Sequence, residues 1–525
     1  MSKFAAIATS VALISALFFG APAAVYAEVN DIYVGSNDSN GGGSCADPDF
    51  STDVLDEGSI NAALDAALAA IDDDADTVII CDGEYTYGAD ISLHDGSAEG
   101  FHDVISIEAA AGADVTLDGG DQWQLLSFAN MTSVSITGIK FLDAQVENDG
   151  AAIQIMGGTL NVVDSSFTDG GTATDNGGAI YSEPGHVTIS GSTFTGNRAG
   201  SEGGAIFVYN AADGDGVTVS DSVFTDNNEA EGAAISVNGA ASSAIITVTD
   251  SEFVDNDGRY GAITIDNGSV ELTNVLMDGN NNTTGEGGAV YAEENLTVTN
   301  SEFTNNSSAD DDGGAIYNYG DTIVIGSLFS GNVADDDGGA INNEEGSLVV
   351  TSSQFTNNSS GESAAGGAIQ VEDCDEVSVS GSTFRNNTAG DDGGGAINFN
   401  CYADADVLVS RNTFTGNSAR RYGGAIDQEY GYFGIRYVGN TFTGNSVTDK
   451  TTGALDERGG QGGAVWAYTA TFSGNRFTRN RASEFGGAVY TPDRQVARSA
   501  KRSKFSGNRA RRGPDVYLSR LGNVE

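Results

Sequence analysis

The chain has 525 residues, 75 acidic against 23 basic, a formal net charge of −52, three histidines and four cysteines. A negative field of that size keeps a long protein dispersed and excludes nucleic acid as a partner. A chain of this length also outgrows a single hydrophobic core. It must split into domains or grow along one axis.

Met1 to Ala27 reads as a secretory signal. Lys3 is its positive end, Phe4 to Gly20 its apolar core, and Val25-Tyr26-Ala27 its processing site, with cleavage between Ala27 and Glu28. Residues 28–76 read as an N-terminal cap. Asp31 to Val34 fits a strand, and Ser59 to Ile71 fits a helix with Ile60, Leu64, Leu68 and Ile71 on one face and Ser59 as its cap. Such a helix would cover strand edges that otherwise invite pairing with other chains. Thr77 to Asp149 holds degenerate strand units, at Val104–Ile107, Val115–Leu117 and Val134–Ile139.

From there two motifs alternate. Phe-x-x-Asn starts at Phe194, Phe224, Phe253, Phe303, Phe329, Phe355, Phe384, Phe414, Phe442, Phe477 and Phe505. Gly-Gly-Ala-Ile/Val starts at Gly177, Gly203, Gly287, Gly313, Gly338, Gly366, Gly394, Gly423, Gly462 and Gly486. With looser copies at Gly232, Gly261 and Met277 included, successive motifs lie 24 to 39 residues apart, a spacing that marks stacked repeats. Between the motifs, Val187-Thr-Ile-Ser and Leu296-Thr-Val-Thr alternate apolar and hydroxyl residues, the period of a half-buried strand. One such unit cannot bury its apolar face, but stacked units can. The expectation is an all-β, single-stranded parallel β-helix over residues 77–518, about 15 coils and about 70 Å long, with a short tail at 519–525. Phe would form an inward stack, and Asn a ladder of side-chain amides. The Ile or Val of the Gly-Gly motif would point inward and the next residue outward.

These alternating motifs, from about Gly150 to Asn508, resemble the repeats of the polymorphic outer-membrane protein family. The resemblance implies a right-handed parallel β-helix, secretion, and an adhesin or other surface role. The strand, helix and strand that open the chain resemble the N-terminal cap of many secreted β-helix proteins. Autotransporter-type members carry a C-terminal β-barrel, which this sequence does not show. After Leu518 no apolar span of about 20 residues follows, so no transmembrane segment is expected once the signal is removed.

Four cysteines in a secreted chain imply two disulfides with three possible pairings. Cys45–Cys81 would pin the cap helix between them. Cys374 and Cys401 occupy equivalent loops of adjacent coils, at a spacing that suits a second bond. His94, His102 and His186 fit neither a metal nor a triad pattern. Arg259, Arg385 and Arg411 are isolated candidates for chemistry on the body of the helix. Eight Lys and Arg crowd residues 494–512.

Two rows suit ligands. Asp310–Asp312, Asp335–Asp337 and Asp391–Asp392 precede Gly-Gly at matching points of their coils. Stacked like charges repel by about 1 kcal/mol per pair even in water. A solvated acidic ridge is one reading. Ca²⁺ on Asp311, Asp312, Asp336, Asp337, Asp391 and Asp392 is the other, and the only cofactor the sequence hints at. The second row follows Gly-Gly-Ala-Ile: Tyr181, Phe207, Tyr291, Tyr317, Trp466 and Tyr490, interrupted from Asn342 to Asp427. Outward aromatics in line can stack on sugar rings or anchor a protein. The expected product is a secreted or cell-surface, non-catalytic protein that binds a cell-surface glycan or protein. A Ca²⁺-dependent polysaccharide lyase or hydrolase and a structural envelope component are the alternatives.

Overall fold

Every strand pairing joins a residue to its equivalent one turn away, in parallel. The structure, a computed structural model, describes residues 31–35, 45, 50–51, 64, 76–87, 92–94, 104–129, 131–172, 174–211, 216–228, 231–239, 244–402, 405–428, 433–449 and 459–519. They form a parallel β-solenoid that makes about 14 turns, close to the 15 expected. Its three long sheets hold 17, 16 and 16 strands. The first sheet uses the Val-Thr-Ile-Ser strands, with alternate residues buried, as in His186–Ser190. The second uses three-residue strands centred on Phe, such as Thr193–Thr195. The third carries Gly-Gly-Ala-Ile, as in Ile180–Glu183.

The core is built from ladders of identical side chains. Phe141 to Phe253 and Phe303 to Phe477 stack with ring centroids 4.6–4.9 Å apart and nearly parallel planes. Met277 takes the place of one ring between Phe253 and Phe303, where a flexible thioether fills the same slot. The asparagine ladder runs from Asn197 to Asn508. The amide of Asn306 donates from Nδ2 to Asn332 Oδ1 at 3.0 Å, and its backbone N–H donates to the same oxygen at 3.0 Å. Its second Nδ2 proton goes to Met277 O at 3.0 Å. Each buried amide is thereby satisfied, which removes the cost of burying it.

The residue immediately before Asn explains the rest of that motif. Asp226, Asp255, Asn305 and Asn357 there have φ of 52–58°, and Gly196 has 67°. Only Gly, Asn and Asp visit that left-handed corner readily. In the Gly-Gly pair the second glycine matters most between coils. A Cβ on Gly178 would lie 2.1 Å from Gly204 O one coil on.

A second polar ladder has no counterpart among the sequence expectations. Ser192, Ser222 and Ser251, two residues before each Phe, pass backbone N–H to the next coil's Oγ at 3.1 Å. Farther along, Asn412, Asn440 and Asn475 take over.

Both disulfides are present, Cys45–Cys81 and Cys374–Cys401, with Cα atoms 5.5 and 4.7 Å apart. The strand Asp31–Gly35 stacks on Asp76–Ile80. Of the expected cap helix over 59–71 only Leu64, helical and buried, is described. The rest of that helix, the signal at 1–27 with its Ala27/Glu28 cleavage site, His102 and residues 520–525 lie outside the described residues. A helix does occur near the other end. Helix α1 (Arg494–Ala500) replaces a strand of the first sheet. Asp493 accepts from the N–H groups of Gln495 and Val496, and Val496, Ala497 and Ala500 are buried. Among the described residues no helix is long and apolar enough to cross a membrane.

The ladder carries a prediction. Asn332→Ala strips the shared acceptor from two Asn306 donors and a donor from Phe303 O. At about 1–3 kcal/mol for each orphaned group, it should destabilise by about 4 kcal/mol, comparable to Phe355→Ala at about 3–5 kcal/mol. Denaturant unfolding reads both. An Asn332→Ala midpoint equal to that of the parent would show that the ladder is dispensable.

Candidate functional site

The outward position of the third sheet forms a single row in register. Tyr181, Phe207, Ser236, Thr264, Tyr291, Tyr317, Asn342, Gln370, Asn398 and Asp427 succeed one another coil by coil. Trp466, Tyr490 and Tyr517 continue it. The expectation that the aromatic members stand exposed is corrected. Tyr181, Phe207, Tyr317, Trp466 and Tyr490 are buried, and Tyr291 is half-buried. The rings lie along the solenoid axis and cover one another. Tyr291 and Tyr317 have centroids 5.8 Å apart with planes 1° from parallel, and Trp466 and Tyr490 lie 5.9 Å apart. Their hydroxyls are tied down as well. Tyr181 donates to Glu183 at 2.7 Å, Tyr291 to Glu293 at 3.2 Å, and Tyr317 to Glu344. Burial pushes the phenols of Tyr181 and Tyr291 far above their ordinary range.

The apparent gap from Asn342 to Asp427 is a polar floor. Asn342, Gln370, Asn398 and Asp427 are each no more than 2 % exposed. Among the described residues, Asn342 Oδ1, Gln370 Oε1 and both amide atoms of Asn398 make no hydrogen bond. Buried polar groups without partners are rare and call for an explanation.

Carboxylates bond to this row from both sides. On one side Asp312 accepts from Asn342 Nδ2 at 2.7 Å and from Asp337 N–H at 2.7 Å, and Asp337 accepts from Ala365 N–H at 2.6 Å. On the other, Glu372 accepts from Gln370 Nε2 at 2.9 Å. Burial, then the charge of Asp337, pushes the Asp312 carboxyl up to about 8. Burial pushes Asp337 up to about 7, against the pull of the Ala365 N–H. Asp336, Asp392 and Glu344 are raised by burial first and by neighbouring carboxylates second.

The six aspartates expected to hold Ca²⁺ do not gather. Among the described residues no three His, Cys, Asp or Glu side chains converge to hold a metal ion. Their coils stack them along the axis, so that Asp311 bonds the Asp312 N–H and Asp312 and Asp337 turn to the next coil's backbone. Asp391 is held by Arg420 at 3.0 Å and Arg421 at 2.8 Å.

Arg259 lines a separate open groove of about 560 Å³ with Glu231 and Asp257. It pairs with Glu231 at 2.9 Å and lies 5.3 Å above the Tyr260 ring. Arg385 and Arg411 are exposed on other coils and bring no further group to it. His186 Nε2 is 3.1 Å from Thr218 Oγ1 on the first sheet.

A family model described as a right handed beta helix region matches residues 105–276 and 233–442. No curated protein and no solved structure matches the chain.

The raised carboxyls set a pH dependence. Asp312 and Asp337 keep their protons in the folded state while the unfolded chain releases them above about 3.8. Their contribution to stability is therefore complete below that value and is lost as pH rises through about 7 and 8. The melting midpoint should fall between about pH 4 and pH 8, and Asp312→Asn with Asp337→Asn should flatten that fall. A double variant with the parent's slope would place the protons elsewhere.

Proposed function

The chain belongs to the right-handed β-helix family, and we propose on that basis that it is a secreted or cell-surface binding protein. It holds an extended, hydroxyl-rich polymer, a glycan, along the outward row of the third sheet. The observation that carries this reading is the row Asn342, Gln370 and Asn398 at the outward position of the third sheet, whose buried amide atoms lack a hydrogen-bond partner among the described residues and meet a ligand once the side chains covering them turn aside. Amide oxygens accept from hydroxyls and amide N–H groups donate to them, so a sugar chain satisfies both. The row repeats once per coil, about 4.8 Å apart, which suits a polymer lying along the axis. Tyrosines bound the floor on one side and Trp466 and Tyr490 on the other. The carboxylates bonded to the row offer further acceptors. Two disulfides support passage through an oxidising compartment. The repeat's resemblance to polymorphic outer-membrane proteins supports a surface role.

One observation favours a second reading. A carboxyl protonated near neutrality is what the general acid of glycoside hydrolysis requires, and Asp312 is raised to about 8 beside Asp337, whose N–H donates to it. Incubation with immobilised neutral and acidic polysaccharides separates the two. Binding predicts retention of the intact protein, reduced about tenfold or more by Asn398→Ala or Gln370→Ala, since each removes groups worth about 1–3 kcal/mol. New reducing or unsaturated ends would give the site to hydrolysis or elimination. Self-assembly without retention on any polysaccharide would give the protein a structural role instead.

A further inference from the structure

The charge of the chain is not evenly spread. Residues 476–519 hold eleven Lys and Arg against Glu484, Asp493 and Asp515, in a protein whose net charge is −52. All eleven are exposed. Arg511, with Glu484 at 3.2 Å, makes the ion pair of this group, and no other carboxylate within salt-bridge distance meets the rest among the described residues.

Their placement is unfavourable for the chain alone. Arg476 stacks on Lys504, and Arg481 on Arg509, in register one coil apart. Like charges directly opposed destabilise a sheet. Acidic residues are abundant everywhere else in the sequence, yet none alternates with these cations. One coil before Arg476 and Arg481 the same positions hold Thr441 and Ser446, so the change is abrupt.

The cations also surround one axial level rather than following one face. Arg476 and Lys504 sit on the second sheet, and Arg481 and Arg509 at the corner that follows it. Arg512 lies before the third sheet, and Arg494 and Arg498 lie on α1 in the place of the first. A linear polyanion on one face meets a fraction of such a collar. A planar anionic surface approached along the axis meets all of it, while the acidic coils behind are repelled. No large apolar side chain of this stretch is exposed. The collar therefore has nothing to insert between acyl chains and no open aromatic ring to stack on nucleobases.

We propose that this collar docks the solenoid on an anionic lipid surface, with the axis directed away from the bilayer and the Asn342–Asp427 row of the third sheet held clear of it. The contact is electrostatic and peripheral. Each cation near such a surface strengthens binding about fivefold, and the effect decays within a Debye length.

Co-sedimentation of the full chain with vesicles of phosphatidylglycerol and phosphatidylcholine in equal parts tests this. The protein should pellet at low salt, be released at about 0.5 M salt, and stay in solution with pure phosphatidylcholine. Arg498→Glu, Lys501→Glu, Arg502→Glu and Lys504→Glu together should weaken partitioning more than a hundredfold. All four are exposed, and an unchanged circular-dichroism melt confirms that the variant is folded. Arg385→Glu, an exposed cation outside the collar, should leave binding as it was. Equal loss in Arg385→Glu, salt-independent pelleting, or no pelleting with anionic vesicles would overturn the proposal. So would capture by dextran sulfate, or a collar-dependent oligomer, in the absence of vesicle binding.

Discussion

Each coil of this protein lies on a near copy of itself, about 4.8 Å away. That spacing decides which residues are good neighbours. A side chain that can bond or stack with its own image gains at every turn. Asparagine offers an acceptor and two donors and uses all of them between coils. Phenylalanine stacks face to face at nearly the same separation. Serine passes one bond per coil. Carboxylates gain nothing from their image in this way and repel it, so they are confined to outward positions and loops.

The polar row of the third sheet follows from the same constraint applied to polar residues that cannot all be satisfied. Asn342 and Gln370 each spend their amide protons on a neighbouring carboxylate. Their oxygens then accept from no donor among the described residues. The carboxylates beside them are stacked, buried and raised. A proton shared into this row lowers the repulsion that the geometry imposes. The chain tolerates the arrangement because solenoid stability is approximately a sum of local terms. Unfavourable coils in the middle are carried by well-ordered ladders on both sides.

The repeats made the fold legible from the sequence, and the reason is physical. Phe194 and Asn197 mean the same thing in every coil, so copying exposes their roles. Legibility failed where a residue's meaning depended on what lay beside it. Tyr181 and Trp466 are outward by alternation, as expected, but rings that help cover them, Phe207 and Tyr490, belong to other coils. The stretch from Asn342 to Asp427 looked like an interruption because its residues vary, and its open amide atoms appear only in three dimensions. Helix α1 was hidden by its arginines. Asp493 as a cap, with Val496, Ala497 and Ala500 at helical spacing, was the available signal. The Ser192 ladder could have been read from the serine two residues before each phenylalanine, but a hydroxyl at a strand edge has many other uses.

The second disulfide lies where this local bookkeeping is least favourable. Gln370 and Asn398 are paired across adjacent strands of the third sheet. Cys374 and Cys401 leave those same two coils and join them covalently. A crosslink closing a loop of 27 residues stabilises by roughly 3–4 kcal/mol in the chain-entropy picture. That is the order of what the unpartnered amide atoms cost at about 1–3 kcal/mol each. The bond cannot serve general stability well, since a nearest-neighbour system feels it only near the two coils it spans. It serves those coils, holding open polar groups in register at a spacing that hydrogen bonding between them does not enforce. A floor kept fixed in this way meets a ligand already ordered, and the ordering cost is absorbed in folding rather than charged against binding.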